Sequence, residues 1–127
     1  MTKLAAIGAT LTGLLAMSNA PALANEFGTG GNATSTINWT TGSTRYTQQH
    51  SGDDFAFTND SGISVDMRWK KCDAATYGNI IYNISPGSGY HVLGTNFLAG
   101  SCLQIQYRGY TQTGSFNGTT FWNYNFA

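Results

Sequence analysis

Beyond about residue 33, apolar and polar side chains alternate with a period of two, the pattern of strands buried on one face. The clearest stretch is 63–70, where Ile63, Val65, Met67 and Trp69 face one way and Ser64, Asp66, Arg68 and Lys70 the other. Residues 102–108 repeat the pattern, Leu103, Ile105 and Tyr107 opposing Gln104, Gln106 and Arg108. Weaker strands are predicted over 34–40, with Ile37 and Trp39 on one face, and over 44–49, 55–58 and 89–93. Residues 77–85 read as a strand whose adjacent isoleucines, Ile80 and Ile81, imply burial on both sides or a bulge. Residues 96–99 fit one helical turn or a crossover loop.

Turn chemistry separates these stretches. Thr41-Gly42, the loop Ser51-Gly52-Asp53-Asp54 and Asn59-Asp60-Ser61-Gly62 are predicted connections. Ser85-Pro86-Gly87-Ser88 matches a type II turn, with proline fixing φ at the first central position and glycine supplying φ > 0 at the second. Asn117-Gly118 is the strongest hairpin signal. A two-residue turn there sets Phe116 opposite Thr119, Thr113 opposite Trp122, Thr111 opposite Tyr124 and Gly109 opposite Phe126, making the last three aromatics one packed face. Residues 25–33, NEFGTGGNA, lack any pattern and predict a flexible N-terminal arm. Seven or eight short strands without a convincing helix predict one small antiparallel β-sandwich over 34–127, with a small barrel as the alternative architecture.

The first 24 residues change the setting. Lys3, an apolar run from Leu4 to Met17 and the small-residue close Ala22-Leu23-Ala24 have the layout of a secretory signal peptide cleaved after Ala24. No lipid-accepting cysteine lies near the junction and no hydrophobic tail follows the domain, so a released extracellular product is expected. Cys72 and Cys102 then meet an oxidising compartment and are expected to pair. Both sit off the apolar phase of their neighbours, which places the bridge at strand ends on the sheet rim rather than across a core.

Composition and charge narrow the partners. After Ala24 the basic residues Arg45, Arg68, Lys70, Lys71 and Arg108 face Glu26, Asp53, Asp54, Asp60, Asp66 and Asp73, one more acidic than basic. A balance this close to neutral argues against a nucleic-acid or anionic-membrane partner. The basic cluster Arg68, Lys70 and Lys71 reads as charge protecting an edge strand.

No catalytic motif is complete. Ser88 lacks the G-x-S-x-G frame, the sole glutamate Glu26 falls in the arm, and no pair of aspartates stands out for glycoside hydrolysis. His50 beside Asp53 and Asp54 permits a His–carboxylate pair, but the stretch reads first as a solvated polar loop. Neither cysteine nor histidine has metal-ligand spacing, and no metal or other cofactor is implied. What remains is three Trp, seven Tyr and seven Phe interleaved with Asn, Gln and Thr. Aromatic platforms flanked by amides suit sugar recognition and protein interfaces alike, and β-rich cores use the same residues. The expected function is therefore non-enzymatic binding, with a carbohydrate or cell-envelope surface as target and Trp39, Tyr77, Tyr90, His91 and Tyr110 as contact residues. The alternative is a secreted effector such as a protease inhibitor, antimicrobial or toxin, an inhibitor presenting the loop at 85–90 as a rigid loop near the cysteines; a small hydrolase ranks third.

Overall fold

A computed structural model of the protein describes residues 24–124, so the signal-peptide reading and the position of Phe126 fall outside the described residues. Nine strands follow in chain order: β1 (Asn25–Ala33), β2 (Thr40–Thr41), β3 (Tyr46–Thr47), β4 (Asp53–Gly62), β5 (Val65–Lys71), β6 (Ile81–Ile84), β7 (Tyr90–Phe97), β8 (Cys102–Gly109) and β9 (Gly114–Tyr124). They form two antiparallel sheets, β1-β9-β4-β7 and β2-β8-β5-β6, with β3 also pairing β8. The fold is the expected all-β sandwich.

The two best-patterned strands behave as their alternation requires. β5 and β8 pair in unbroken register from Val65 opposite Gly109 to Lys71 opposite Leu103. Val65, Met67, Leu103, Ile105 and Tyr107 turn inward to meet Phe55, Phe57 and Phe116 of the other sheet. Trp69 closes one end of this core, edge-on to Phe97 with ring centroids 5.2 Å apart. Cys72 and Cys102 are bridged where β5 ends and β8 begins, with Cα atoms 5.4 Å apart, so the disulfide ties strand ends at the rim as their phase predicted. The turn at 85–88 also forms: Ser88 N–H donates to the Ser85 carbonyl and Gly87 has φ 78°.

Several local readings are overturned by long-range pairing. Residues 25–33 are an edge strand, β1, matched residue for residue with β9. Their lack of pattern reflects a strand whose inner face must be small: Gly31 lies directly under the Tyr107 hydroxyl, where a Cβ would come within 2.5 Å. Thr29 Oγ1 hydrogen-bonds with the hydroxyls of Tyr46, at 2.9 Å, and Thr120, at 2.6 Å. Asn117-Gly118 is no hairpin tip. It lies in the middle of β9, with Asn117 opposite Gly30 and Ser61, and Gly118 opposite Thr29 and Asn59. Two neighbouring strands offer ladder bonds on both sides, and these outweigh a local turn preference. The same applies to residues 59–62, which continue β4.

The final aromatics accordingly have other partners. Trp122 pairs with Asn25 and Tyr124 with Asp54. Between them Asn123 adopts φ 62°, and a register shift in the β4–β9 ladder reverses the alternation. Trp122 packs against the inter-sheet core, edge-on to Tyr46 at 4.9 Å, whereas Tyr124 joins Ala56 and Phe121 in a second cluster. The aromatic ending is thus split between two faces rather than forming one stripe.

Candidate functional site

The outward faces of β5 and β8 bring the chain's unusual chemistry together. In this register Asp66 lies opposite Arg108, Arg68 opposite Gln106 and Lys70 opposite Gln104, three cross-strand pairs in succession. Two aromatic side chains from separate segments fold over them. Trp39 comes from the stretch before β2, which an Ser35 turn shapes by accepting the N–H groups of Ile37 and Asn38. Tyr77 comes from the loop after β5, held by an isolated bridge to Lys70 and by Gly78 N–H donating to the Trp69 carbonyl.

Both rings close on Arg68. Its guanidinium carbon is 4.4 Å from the Trp39 ring centroid and 4.0 Å from that of Tyr77. Arg108 lies 4.5 Å from the same Trp39 ring. Such contacts are electrostatic attractions to the ring quadrupole and hold the cation in place. Arg68 Nε also donates to Gln106 Oε1 at 2.8 Å, and Gln106 Nε2 donates to Thr41 Oγ1 at 2.9 Å. Arg108 Nε donates to Asp66 Oδ2 at 3.0 Å, while the Asn83 N–H donates to the other carboxylate oxygen. The Asp66 carboxylate is almost wholly enclosed, with 3% exposure, so its charge is used within the sheet.

The other expected contact residues lie apart from this face. Tyr90 packs edge-on to Phe121 at 5.5 Å beside the second aromatic cluster, and burial raises its phenol pKa to about 12. His91 Nε2 is 2.8 Å from Ser88 Oγ, and burial lowers its imidazole pKa. That hydroxyl is also 2.7 Å from the Ser85 carbonyl, and no carboxylate bonds to His91 among the described residues. The serine hydroxyl therefore links the turn carbonyl and the imidazole. Tyr110 is 41% exposed at the end of β8, with its N–H donating to the Ser64 carbonyl.

His50 does meet a carboxylate. Its backbone N–H donates to Asp53 Oδ2 at 3.0 Å, and its Nδ1 lies 3.5 Å from the same oxygen and 3.1 Å from Asn123 Oδ1. Gln48 Oε1 accepts the Asn123 N–H, and Gln49 Oε1 accepts from the Asn123 amide, so this network anchors the end of β9. Among the described residues no three His, Cys, Asp or Glu side chains gather as metal ligands.

Of the five contact residues expected from sequence, Trp39 and Tyr77 are brought together and Tyr90, His91 and Tyr110 are not. Arg68, Arg108 and Gln106 were missed as members of a site. The basic cluster was read as edge protection, yet β5 is an interior strand flanked by β8 and β6. The available signal was the polar half of the alternation in both strands, which register alone turns into one surface. Comparison with protein-family models, curated proteins and solved structures finds no match for this chain.

Proposed function

We propose that this is a secreted, non-enzymatic domain that acts by binding, with a carbohydrate or cell-envelope surface as target and the outer face of the β2-β8-β5-β6 sheet as contact surface. The observation that carries this reading is the convergence of Trp39 and Tyr77, distant in sequence, on Arg68 beside Gln106 and Thr41. The face presents the partly exposed Arg68 and Lys70 donors and the exposed Thr41 hydroxyl, while Gln104 and Gln106 are buried and bonded within the sheet. Sugars are recognised by such convergent donors and acceptors. The partly exposed rings hold those groups still, so less side-chain freedom is lost on binding.

The effector reading, as a protease inhibitor with an exposed loop at 85–90, loses one of its supports. Pro86 and Gly87 are exposed and the Gly87 N–H is tied to the Asn59 carbonyl. The disulfide, however, lies at the opposite end of β5: Val65 pairs with Ile84 beside the turn, whereas Lys71 precedes Cys72. Pull-down on insoluble polysaccharides and a glycan array test the binding reading. Retention that disappears in a Trp39→Ala, Tyr77→Ala double variant with unchanged unfolding midpoint is the expected result. Silence of the wild-type protein on both assays rejects it.

A further inference from the structure

We infer that the ligand of this face is an acidic polysaccharide, whose carboxylate or sulfate groups are received by Arg68 with Arg108 and Lys70 beside it. The inference rests on the binding reading and narrows its chemistry. Three observations carry it.

The first is charge. Arg68, Lys70 and Arg108 project from neighbouring positions of β5 and β8, whereas the carboxylate among them, Asp66, is enclosed and already bonded to Arg108 and to the Asn83 N–H. Neither Arg68 nor Lys70 forms an ion pair among the described residues. Successive outward residues of one strand are about 7 Å apart and neighbouring strands about 4.8 Å, so the three cations make a compact row suited to a linear polymer with repeated charges.

The second is the state of the rings. Trp39 has two guanidinium groups on it and Tyr77 has one. A neutral sugar stacking on the ring face that already carries a guanidinium competes with that cation. A ligand that approaches the cations needs no such displacement.

The third is preorganisation. Arg68 is held between two rings and fixed at Nε by Gln106, while its terminal amino groups make no hydrogen bond among the described residues. A guanidinium fixed in this way presents a planar fork of donors that matches a carboxylate or sulfate by two parallel bonds. Trp39, Tyr77 and Gln106 are positioning residues acting through Arg68. A nucleic acid carries similar charge but needs a broad basic surface, and the domain beyond Ala24 has more acidic than basic residues.

The experiment is calorimetric titration of the whole secreted protein with polygalacturonate, with the same polymer as its neutral methyl ester, with dextran sulfate, with unmodified dextran and with single-stranded DNA. Binding is expected for one or both acidic polymers and for neither neutral one, weakening as NaCl is raised. Response to polygalacturonate alone identifies a carboxylate ligand, and response to dextran sulfate alone a sulfate. Arg68→Gln should weaken binding about tenfold or more, and Arg68→Lys, which keeps the charge but loses the fork, should also weaken it. Arg45→Gln removes the same charge from a guanidinium engaged by Asp73, a carboxylate that also feels the Lys70 charge, and should weaken binding less than Arg68→Gln does. The ester and salt comparisons use unaltered protein and hold even if an Arg68 variant is unstable. Equal binding to polygalacturonate and its ester, or wild-type binding by a folded Arg68→Gln, overturns the inference while leaving the glycan reading in place. Tighter binding to single-stranded DNA overturns it in favour of a nucleic acid. No binding to any of these polysaccharides overturns the inference, and the binding reading falls with it only if the pull-down and the glycan array are silent as well.

Discussion

Replacing Gly118 with alanine distinguishes a central strand from a hairpin tip. In the structure this residue is buried in β9 with β1 on one side and β4 on the other. A Cβ added there would lie 2.2 Å from the Thr58 carbonyl oxygen and 2.3 Å from the Phe57 ring. Both distances are more than an ångström inside ordinary contact. Neither neighbour can yield readily, since Thr58 belongs to the β4 ladder and Phe57 is fully buried edge-on to Phe116. Relief must come from separating β9 from β4 or displacing a core ring, at a cost of about 1–3 kcal/mol for overpacking and about 1 kcal/mol for a weakened ladder bond. Alanine also restricts the unfolded chain, which offsets about 0.4–1 kcal/mol. The net expectation is a loss of about 1–3.5 kcal/mol. Gly28→Ala is the matched control, because no heavy atom lies within 4 Å of its added Cβ and its φ is not positive. The same unfolded-state effect then stands alone, and a gain of about 0.5 kcal/mol is expected. Urea unfolding with the disulfide intact, followed by tryptophan fluorescence, reads both variants. Similar midpoint shifts for the two would refute the packed position of Gly118.

Three further outcomes follow from the packing and the bridge. The denatured protein should show no free thiol, and the Cys72→Ala, Cys102→Ala double variant should lose about 3–4 kcal/mol of stability, since the bridge closes 30 residues of sequence. Trp122→Ala should cost about 2–3 kcal/mol in the same urea assay, below the value for a fully enclosed tryptophan, because its indole is only partly buried against Tyr46 and the core; a loss under about 1 kcal/mol would place the ring outside the core. Stability should fall as pH rises from about 10 toward 12. Burial raises Tyr90 to about 12 and Tyr124 higher still, so the unfolded chain releases these phenolic protons first and the folded chain binds more protons in that window. Urea midpoints that stay level across it would contradict that sign.

Legibility in the sequence depended on how much each segment's pattern was enforced by a single buried face. Residues 63–70 and 102–108 could be read directly, inward side chains included, because a one-residue slip would turn Arg68 or Gln106 into the inter-sheet core and Met67 or Ile105 out of it. The disulfide was legible for a related reason: cysteines out of phase with the apolar positions have the rim as their remaining place. Trp39 and Tyr77 could be singled out as aromatics available for contact. Their meeting on Arg68 could not, since it arises from a loop before β2 and a loop after β5 converging on a strand between them.

The sequence by itself therefore determined the fold class, the two central strands of one sheet, the type II turn at Pro86-Gly87 and the pairing of the cysteines. Each rests on local periodicity, local φ preference or the chemistry of two thiols. The tertiary structure alone decided the opposite sheet. There β1 has no amphipathic pattern because Gly31 and Thr29 face Tyr107 and Tyr46, and Asn117-Gly118 is extended because strands on both sides supply hydrogen bonds that a turn would forgo. It also decided the candidate site. Pairing Asp66, Arg68 and Lys70 with Arg108, Gln106 and Gln104 is a consequence of register between segments about 40 residues apart, which no local signal encodes.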